Sequence, residues 1–279
     1  MDQSTLTQAF AGLPLGDLEY IPRLGSTNDE AGRLAQAGCP DLTLVIADEQ
    51  TAGRGRLNRR WFTPPGAALA FSLVLRPNPA WIPANAQDVA WVLPRLTALG
   101  ALAVCQALES RYPLNAQIKW PNDVLVSRRK LAGVLVEAAW AGERLNAAIL
   151  GIGVNIASRS VPPASELLFP ATSLEDCLMA PVEEVDRLAL LKDVVERILG
   201  WRTRLSGVEF MQAWQTKLAF LGEWVWIVPA QAQSGSSLSG IKCRILGLEA
   251  DGRLRAEDEG GRIQRFVSAE VHLRPLLKE

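Results

Sequence analysis

The hydrophobic pattern of this 279-residue chain changes near residue 220, and this change limits the architectures that the sequence can adopt. Before it, segments with the three- and four-residue apolar spacing of helices alternate with apolar runs typical of strands. After it, short alternating runs are separated by "QSGSS", "DG" and "EGG", which are typical turn sequences. We therefore predict two domains, a domain of helices and strands over 1–219 and a small all-β domain over 220–279.

Four helices and six strands are predicted in the first of these domains. Ser26 and Thr27 precede an alanine-rich segment that ends at Gly38, the arrangement of an N-cap and a C-terminal glycine. Pro94 marks an early turn or kink in an apolar helix. The predicted helices cover 26–38, 86–110, 182–205 and 207–219, and the predicted strands cover 42–50, 67–75, 116–120, 123–127, 130–140 and 145–156. Short breaks, "PN" and "RRK", between three of these strands favour hairpins.

Composition argues against several classes of protein. Lys and Arg (29) nearly balance Asp and Glu (30), so general attraction to nucleic acid or to a membrane surface is not expected. His272 is the single histidine, which argues against a Ser-His-Asp triad and a histidine-rich zinc site. No signal-like N-terminus and no run of about 18 apolar residues is seen, which predicts a cytoplasmic protein without a membrane span. The cysteines lack C-x-x-C spacing and are interpreted as free buried thiols: Cys39, Cys105, Cys177 and Cys243.

The stretch "GRGRLNRRW" at 53–61 carries four arginines and two glycines in nine positions. Backbone N–H groups beside glycine, together with the guanidinium groups of Arg54 and Arg56, are suited to bind phosphate or carboxylate oxygens. The alternative is a solvated hairpin tip. Because clustered arginines repel one another unless an anion neutralises them, we expect this loop to be mobile without a ligand and ordered with one.

A second group of charged residues lies in "KWPND" (119–123) and "RRKLAG" (128–133). The predicted hairpin brings Lys119, Asn122, Asp123 and Lys130 to one edge of the sheet. Each lysine alone is interpreted as a solvated turn residue, but the combination suits phosphate binding, and Asp123 is a candidate Mg²⁺ ligand. For the intervening Trp-Pro pair, the alternative role is to fill the core and end the strand.

Two further motifs point to a small polar ligand. In "GIGVNI", period-2 alternation places Gly151, Gly153 and Asn155 on one strand face. A bare face indicates close approach by a ligand or by a neighbouring helix, and both stay open. The "STN" at 26–28 lies at a predicted helix N-terminus, which attracts carboxylates, and plain N-capping is the alternative.

In this order, the motifs resemble those of the biotin protein ligases, also called biotin–acetyl-CoA-carboxylase ligases. The matching stretches are "STN" at 26–28, "EQTAGRGRLNRRWFTPPGAALAFSLVL" at 49–75, "KWPNDVLVSRRKLAGVLVE" at 119–137 and "GIGVNI" at 151–156. The tail from "GRLRAEDEGG" onward resembles the small C-terminal domain of that family. The resemblance implies an α+β, class II synthetase-like fold, in which helices flank a mixed or antiparallel sheet, with a C-terminal SH3-like β-barrel.

The resemblance also implies a two-step reaction. Biotin and Mg·ATP would give biotinyl-5′-AMP and pyrophosphate, and a lysine of the biotin carboxyl carrier protein of acetyl-CoA carboxylase would then accept the biotinyl group. Lys130 and Arg56 are the implied catalytic residues, acting by positioning and electrostatics. The implied biotin-binding residues are Ser26, Thr27, Asn28, Gln50, Gly53, Arg54, Gly55, Arg56, Lys130, Gly133 and Gly153. The implied ATP- and adenylate-binding residues are Arg54, Arg56, Arg59, Arg60, Trp61, Lys119, Asn122, Asp123, Lys130 and Asn155, with Asp123 as the Mg²⁺ ligand.

The chain departs from the family pattern at Asn58, where glycine is usual. Because asparagine tolerates left-handed backbone conformations, we expect the turn to survive. Only 25 residues precede "STN", which predicts that a helix-turn-helix domain and sequence-specific DNA binding are absent. A lipoate–protein ligase and a non-catalytic nucleic-acid-binding module are the alternative functions, and the balanced charge argues against the second. Whether the chain forms a homodimer stays open.

Overall fold

The computed structural model describes residues 1–78, 92–179, 185–229, 240–267 and 271–275. Its helices are α1 Gln3–Ala9, α2 Thr27–Gln36, α3 Val92–Arg111, α4 Leu174–Leu178, α5 Arg187–Arg202 and α6 Val208–Thr216. Its strands are β1 Leu18–Leu24, β2 Leu44–Gln50, β3 Ala68–Leu75, β4 Ala116–Lys119, β5 Asp123–Val126, β6 Arg129–Ala141, β7 Arg144–Asn155, β8 Trp224–Pro229, β9 Ile241–Leu248, β10 Leu254–Asp258, β11 Ile263–Phe266 and β12 Val271–Pro275. The parts of two predicted helices at 86–91 and 182–184 lie outside the described residues.

Seven strands form one sheet in the order β1-β2-β3-β7-β6-β5-β4. β1 and β2 run parallel, whereas the other neighbours run antiparallel and include the predicted hairpins β4–β5 and β5–β6. One sheet face packs on α3, where Leu150 and Ile152 approach Gly100. The opposite face packs Val74 and Ile149 against the alanines of α2. The predicted mixed sheet flanked by helices is therefore confirmed.

Helix α2 places the "STN" residues 26–28 at its N-terminus. α2 begins at Thr27, and Gly38 follows its end with a φ of +88°, a conformation that glycine adopts at little cost. Ser26 occupies the N-cap position, but its side chain makes no capping hydrogen bond. Plain N-capping thus does not account for Ser26, which lies buried at the N-terminus of the helix.

Helix α3 contains no unbroken run of about 18 apolar residues, as predicted, because Arg95, Gln106 and Glu109 interrupt it, but its overall composition approaches that of a membrane span. Among the described residues, Val92–Arg111 has the length and composition of such a span, and 72% of its apolar window is buried inside the protein. α3 packs against β6, β7 and α5, and its buried residues belong to the main core. A helix with most of its surface in the core is apolar over most of its circumference, and this explains its composition.

The all-β character predicted after residue 220 is confirmed for the residues that the structure describes there. Strands β8–β12 form a second, antiparallel sheet in the order β11-β10-β9-β8-β12. Its core is continuous with that of the first sheet. Trp120 joins the two directly, because its indole Nε1 donates a hydrogen bond of 3.1 Å to the carbonyl of Gly252. The domain boundary at 219/220 and the closure of this sheet into a barrel stay predictions.

All four cysteines are free, as predicted. Cys105 and Cys243 are buried, and burial raises the pKa of the Cys243 thiol to about 11. Cys39 and Cys177 are only partly buried, which corrects the expectation for these two. None of the four is paired, so no disulfide contributes to this fold.

Candidate functional site

A cleft lies where the N-terminus of α2, the arginine loop 53–61 and the β4–β5 turn meet over β6 and β7. Its empty volume is about 870 Å³, counted out to open solvent. The predicted residues that line it are Ser26, Thr27, Asn28, Gln50, Arg54, Gly55, Arg56, Arg59, Arg60, Trp61, Lys119, Asn122, Asp123, Lys130, Gly133 and Gly153. Gly53 and Asn155 do not line it, because Gly53 packs against the Trp61 carbonyl and the Asn155 amide donates to the Thr172 carbonyl at 3.0 Å.

Connected hydrogen bonds fix the side chains at the α2 end of the cleft. The backbone N–H of Thr27 donates to Gln50 Oε1 at 2.8 Å. The Ser72 hydroxyl donates to Asn28 Oδ1 at 2.6 Å, and Asn28 Nδ2 donates to Glu137 Oε2 at 2.7 Å. This end of the cleft therefore presents hydroxyl, carboxamide and backbone groups, both donors and acceptors, in set orientations.

The bare glycine face of β7 forms the floor of the cleft. A Cβ atom added at Gly151 would lie 2.8 Å from Asn28 Cγ, and one added at Gly153 would lie 2.7 Å from Trp61 Cζ2. Gly133 on the neighbouring strand is similar, with a distance of 3.2 Å to Trp61 Cζ3. The close approach is thus made by the first turn of α2 at Gly151 and by the arginine loop's indole at Gly153.

Positive charge dominates the opposite end of the cleft. Asp123 Oδ2 lies 3.2 Å from Lys119 Nζ, and its Oδ1 lies 2.6 Å from Lys130 Nζ. Burial alone would raise the pKa of Asp123, but the two ammonium groups outweigh burial and hold that pKa well below its usual range. Burial lowers the pKa of Lys119, and the Asp123 carboxylate opposes this effect. The site therefore holds two cations around one buried anion, a net positive charge suited to phosphate.

The side chains around Asp123 do not suit a metal ion held by the protein alone. Within the described ranges, no group of three or more His, Cys, Asp or Glu side chains could hold one. Asp123 is the predicted ligand, yet each of its oxygens is paired with a lysine ammonium. A metal ion held by the protein alone does not fit this arrangement, and Asp123 as a Mg²⁺ ligand stays a prediction.

The arginine loop folds back over the cleft as a tight turn. The Trp61 N–H donates to the Gly53 carbonyl at 2.8 Å, and the Gly55 N–H donates to the Arg59 carbonyl at 2.7 Å. Asn58 has a φ of +58°, so asparagine does occupy a left-handed position as expected, and its neighbour Leu57 has the same φ. Asn58 therefore adopts the left-handed backbone conformation that glycine accommodates most readily.

Arg54 has carboxylate partners within the protein, whereas the clustered arginines were expected to need a bound anion to neutralise them. Its guanidinium Nη1 and Nη2 donate to Glu137 Oε1 and Oε2, both at 2.7 Å. An Asp29 carboxylate oxygen lies 2.7 Å from the same Nη2. Arg56 instead points across the cleft, where it donates to Asn122 Oδ1 at 3.1 Å. Strand register places Glu137 opposite the loop, and the sequence spacing alone did not indicate this pairing.

A second, more apolar pocket adjoins the cationic end. It shares several charged residues with the cleft and adds side chains from the proline-rich segment after β7. Lys119 Nζ lies 4.3 Å from the centroid of the Phe169 ring, a cation–π distance. The added residues are Phe62, Pro162, Pro163, Glu166, Leu167, Leu168 and Phe169. The proline-rich segment covers residues 158–173, and its sequence carries no helix or strand pattern.

Comparisons with known proteins agree with this site. The model of the biotin/lipoate A/B protein ligase family matches residues 20–155, which include all the residues lining the cleft. A biotin–[acetyl-CoA-carboxylase] ligase of Paracoccus denitrificans is 35% identical over 261 residues, covering 90% of this chain and 98% of the relative. The chain belongs to the biotin/lipoate A/B protein ligase family. The bifunctional ligase/repressor BirA of Bacillus subtilis is 33% identical over 257 residues, covering 92% of this chain and 74% of that protein.

Solved structures extend the agreement to the whole fold of this family member. The biotin protein ligase of Aquifex aeolicus in complex with biotin and ATP has a TM-score of 0.70 at 29% identity, and the match covers 93% of this chain and 99% of that one. A point mutant of the same ligase in complex with biotin has a TM-score of 0.71 at 28% identity, over the same shares of the two chains. The match therefore includes the second sheet as well as the ligase fold.

Some site residues of this family member escaped sequence analysis. Ser72 was the one polar residue in the apolar run "AALAFSLVL", and Glu137 was the charge that ends "LAGVLVE". The pattern around Ser72 carries a signal, because a lone polar residue in a buried strand requires a hydrogen-bond partner. Asp29 had none, since an acidic residue in the first turn of a helix is ordinary.

Proposed function

We propose that this chain is an ATP-dependent biotin–protein ligase, which joins biotin to AMP and transfers it to a lysine of a biotin carboxyl carrier protein. The observation that carries the proposal is one cleft with a neutral hydrogen-bonding end and a cationic end, in a chain whose relatives include proteins named biotin–[acetyl-CoA-carboxylase] ligases. The biotin and ATP complex of a structural relative supports both substrates. A lipoate–protein ligase and a nucleic-acid-binding module are less well supported, because these relatives are named for biotin.

The two ends of the cleft suit the two parts of biotin. Its ureido ring requires donors and acceptors, which Ser26, Thr27, Asn28 and Gln50 supply at the α2 end. Its carboxylate would then extend toward the cationic end, where Arg56, Lys119 and Lys130 lie. The carboxylate and the α-phosphate are therefore brought together where positive charge is highest.

The reaction then needs no histidine. A carboxylate oxygen of biotin attacks the α-phosphorus of ATP, the bond to the pyrophosphate oxygen breaks, and Lys130 and Arg56 stabilise the charge on the phosphate oxygens. In the second step, the amine of the carrier lysine attacks the acyl carbon, and AMP leaves. The arginine loop shields the activated acyl phosphate from water between the steps.

Mg²⁺ belongs in this proposal as a partner of ATP, whose phosphate charge it would neutralise. A direct Asp123–metal contact would compete with one of the two lysines. The cytoplasmic location, the absence of specific DNA binding and the oligomeric state also stay predictions.

The proposal is tested by incubating the full chain with biotin, ATP, Mg²⁺ and a carrier domain, followed by intact-mass measurement. We expect one biotinyl group on the carrier, with none when ATP is omitted or when the acceptor lysine is replaced by arginine. Lipoate in place of biotin tests the alternative. Transfer of lipoate but not of biotin would overturn the proposal.

Gly151→Ala is expected to weaken biotin binding about tenfold or more, because the new methyl group would collide with the Asn28 carboxamide, and overpacking typically costs 1–3 kcal/mol. Asn28 cannot move freely, since both ends of its carboxamide are hydrogen-bonded. Gly32→Ala is the matched control, because Gly32 lies in α2 with nothing within 4 Å of an added Cβ. Isothermal titration with biotin decides, and unchanged affinity in the Gly151 variant would show that Asn28 does not contact the ligand.

A further inference from the structure

We infer that Glu137 is a positioning residue that holds the arginine loop closed over the cleft by binding Arg54. The expected effects on biotin and adenylate rest on the proposed function, whereas the contact between Glu137 and Arg54 does not. Both carboxylate oxygens of Glu137 accept hydrogen bonds from the Arg54 guanidinium, at 2.7 Å each. This two-point contact fixes orientation as well as distance, which a single ion pair does not.

Glu137 connects the loop to the polar end of the cleft. Besides Arg54, its Oε2 accepts a hydrogen bond from Asn28 Nδ2 at 2.7 Å. Asn28 is thereby oriented with its Oδ1 toward the Ser72 hydroxyl. One carboxylate on β6 therefore sets both the loop position and the direction of a carboxamide predicted to contact biotin.

The two arginines in "GRGR" have different partners and therefore different roles. Arg54 lies at the rim of the cleft with 42% of its side chain exposed, and two carboxylates, those of Glu137 and Asp29, lie within 2.7 Å of it. Arg56 is more deeply placed and donates to Asn122 on the far wall. Arg54 thus acts on substrate through the loop that it anchors, whereas Arg56 faces the position proposed for the phosphate.

The ion pair between Arg54 and Glu137 is partly exposed, and this limits how strongly it holds the loop closed. Glu137 is 33% exposed, so water competes with the contact and the pair contributes modestly to closure. A contact of this strength favours the closed loop while it still lets substrate enter and product leave. Its loss should leave the chemistry intact but let the loop open more often, which exposes the adenylate to water.

Glu137→Gln tests the inference, because it keeps the side-chain shape and removes the charge. We expect hydrogen exchange of amides at 53–61 in the ligand-free protein to speed up about five- to tenfold, the size expected for a two-point ion pair near the surface. The KM for biotin and the loss of adenylate without carrier should rise by similar factors. The rate of adenylate formation at saturating biotin should stay within about twofold, since no reacting atom is touched.

Glu223→Gln is the matched control, because Glu223 makes an equivalent two-point contact with Arg128, at 2.9 and 3.0 Å, away from the cleft. It should change none of these quantities. Arg54→Ala and the Arg54→Ala/Glu137→Gln double variant complete the test. If Glu137 acts on the loop through Arg54, the second substitution adds nothing to loop exchange in the Arg54→Ala background.

Equal exchange at 53–61 in the wild type and Glu137→Gln would overturn the inference, as would additive effects in the double variant. A fall in adenylation rate at saturating biotin would instead identify Glu137 as part of the catalytic machinery. Loop exchange is measured without ligands, so this test of Glu137 does not depend on whether the protein forms adenylate. A wild type that forms no adenylate would overturn the proposed function but not the inference about the loop.

Discussion

Replacing Lys130 with alanine is expected to slow adenylate formation about 10²–10³-fold while biotin affinity changes much less, if the ammonium behaves like a typical oxyanion-stabilising donor. Negative charge on the α-phosphate oxygens shifts as the biotin carboxylate attacks. An ammonium group fixed at that point therefore stabilises the transition state more than it stabilises bound biotin. The loss should appear in the rate constant and only weakly in the dissociation constant.

The structure holds this ammonium in place before substrate arrives. Lys130 Nζ lies 2.6 Å from Asp123 Oδ1 and 5.3 Å from the centroid of the Trp61 ring, and 26% of its side chain is exposed. A Cβ added at Gly133 would lie 3.3 Å from the same Nζ, so the stem crosses a glycine that leaves it room. Preorganisation by these neighbours is what makes the group effective in the transition state.

Single-turnover adenylation and separate measurement of biotin binding distinguish the two roles. Lys130→Arg should not restore the rate fully, because a planar guanidinium does not reproduce a compact point charge. Lys242→Ala, which removes an ammonium paired with Glu259 on the second sheet, is the control for loss of charge. A Lys130→Ala variant that loses affinity but keeps its rate at saturating biotin would show that Lys130 only binds substrate.

Local signals in the sequence were sufficient for the elements that carry the site. The glycine after α2 and the short turns around β5 each depend on neighbours in the chain, so pattern and propensity predict them. The motif residues at 26–28 and Gly151 are more than 120 residues apart, yet the alternation of "GIGVNI" already placed the glycines on one face. Their convergence follows from the family's fold, which the ordered motifs identified.

Features set by long-range register were not predictable in the same way. Arg54 and Glu137 are 83 residues apart, and their contact depends on which face of β6 meets the loop. The left-handed conformation of Leu57 runs against the preference of leucine, and only the surrounding turn imposes it. The proline-rich segment has no hydrophobic period, so nothing in its sequence showed that Phe169 would lie beside Lys119.

Asp123→Asn is expected to destabilise the fold by about 3–5 kcal/mol at neutral pH, the usual cost of removing one partner from a buried ion pair. Lys119 is buried and Asp123 is nearly so, with 10% and 13% of their side chains exposed. Asparagine keeps the shape but removes the charge that compensates the Lys119 ammonium. Adenylation should fall as well, because Lys130 loses the contact that orients it.

The pH dependence of this loss has a defined sign. In the wild type the folded-state pKa of Asp123 is lowered below its ordinary value of 3.8, so its stabilisation is present above about pH 4 and is lost as the pH falls further. The folded-state pKa of Lys119 is lowered below 10.5, and removing the carboxylate lowers it again. Between that pKa and 10.5 the unfolded chain binds more protons, so stability rises with pH.

The penalty of Asp123→Asn should therefore shrink as the pH rises from about 6 to about 9.5, because Lys119 is released from carrying an uncompensated charge. Urea unfolding of wild type and variant at both pH values measures the difference between their free energies of unfolding. Glu109→Gln is the control, because it breaks the ion pair between Glu109 and Lys217, whose side chains are 26% and 23% exposed. At such a partly exposed pair, water replaces the lost partner more readily. A penalty that is constant across this range would mean that Lys119 stays charged without Asp123, and that another group on the cleft wall compensates it. A penalty that grows with pH would contradict the burial of the Lys119 ammonium as the source of the effect. Deprotonation of Lys119 at higher pH can only reduce the cost of burying its unpaired charge.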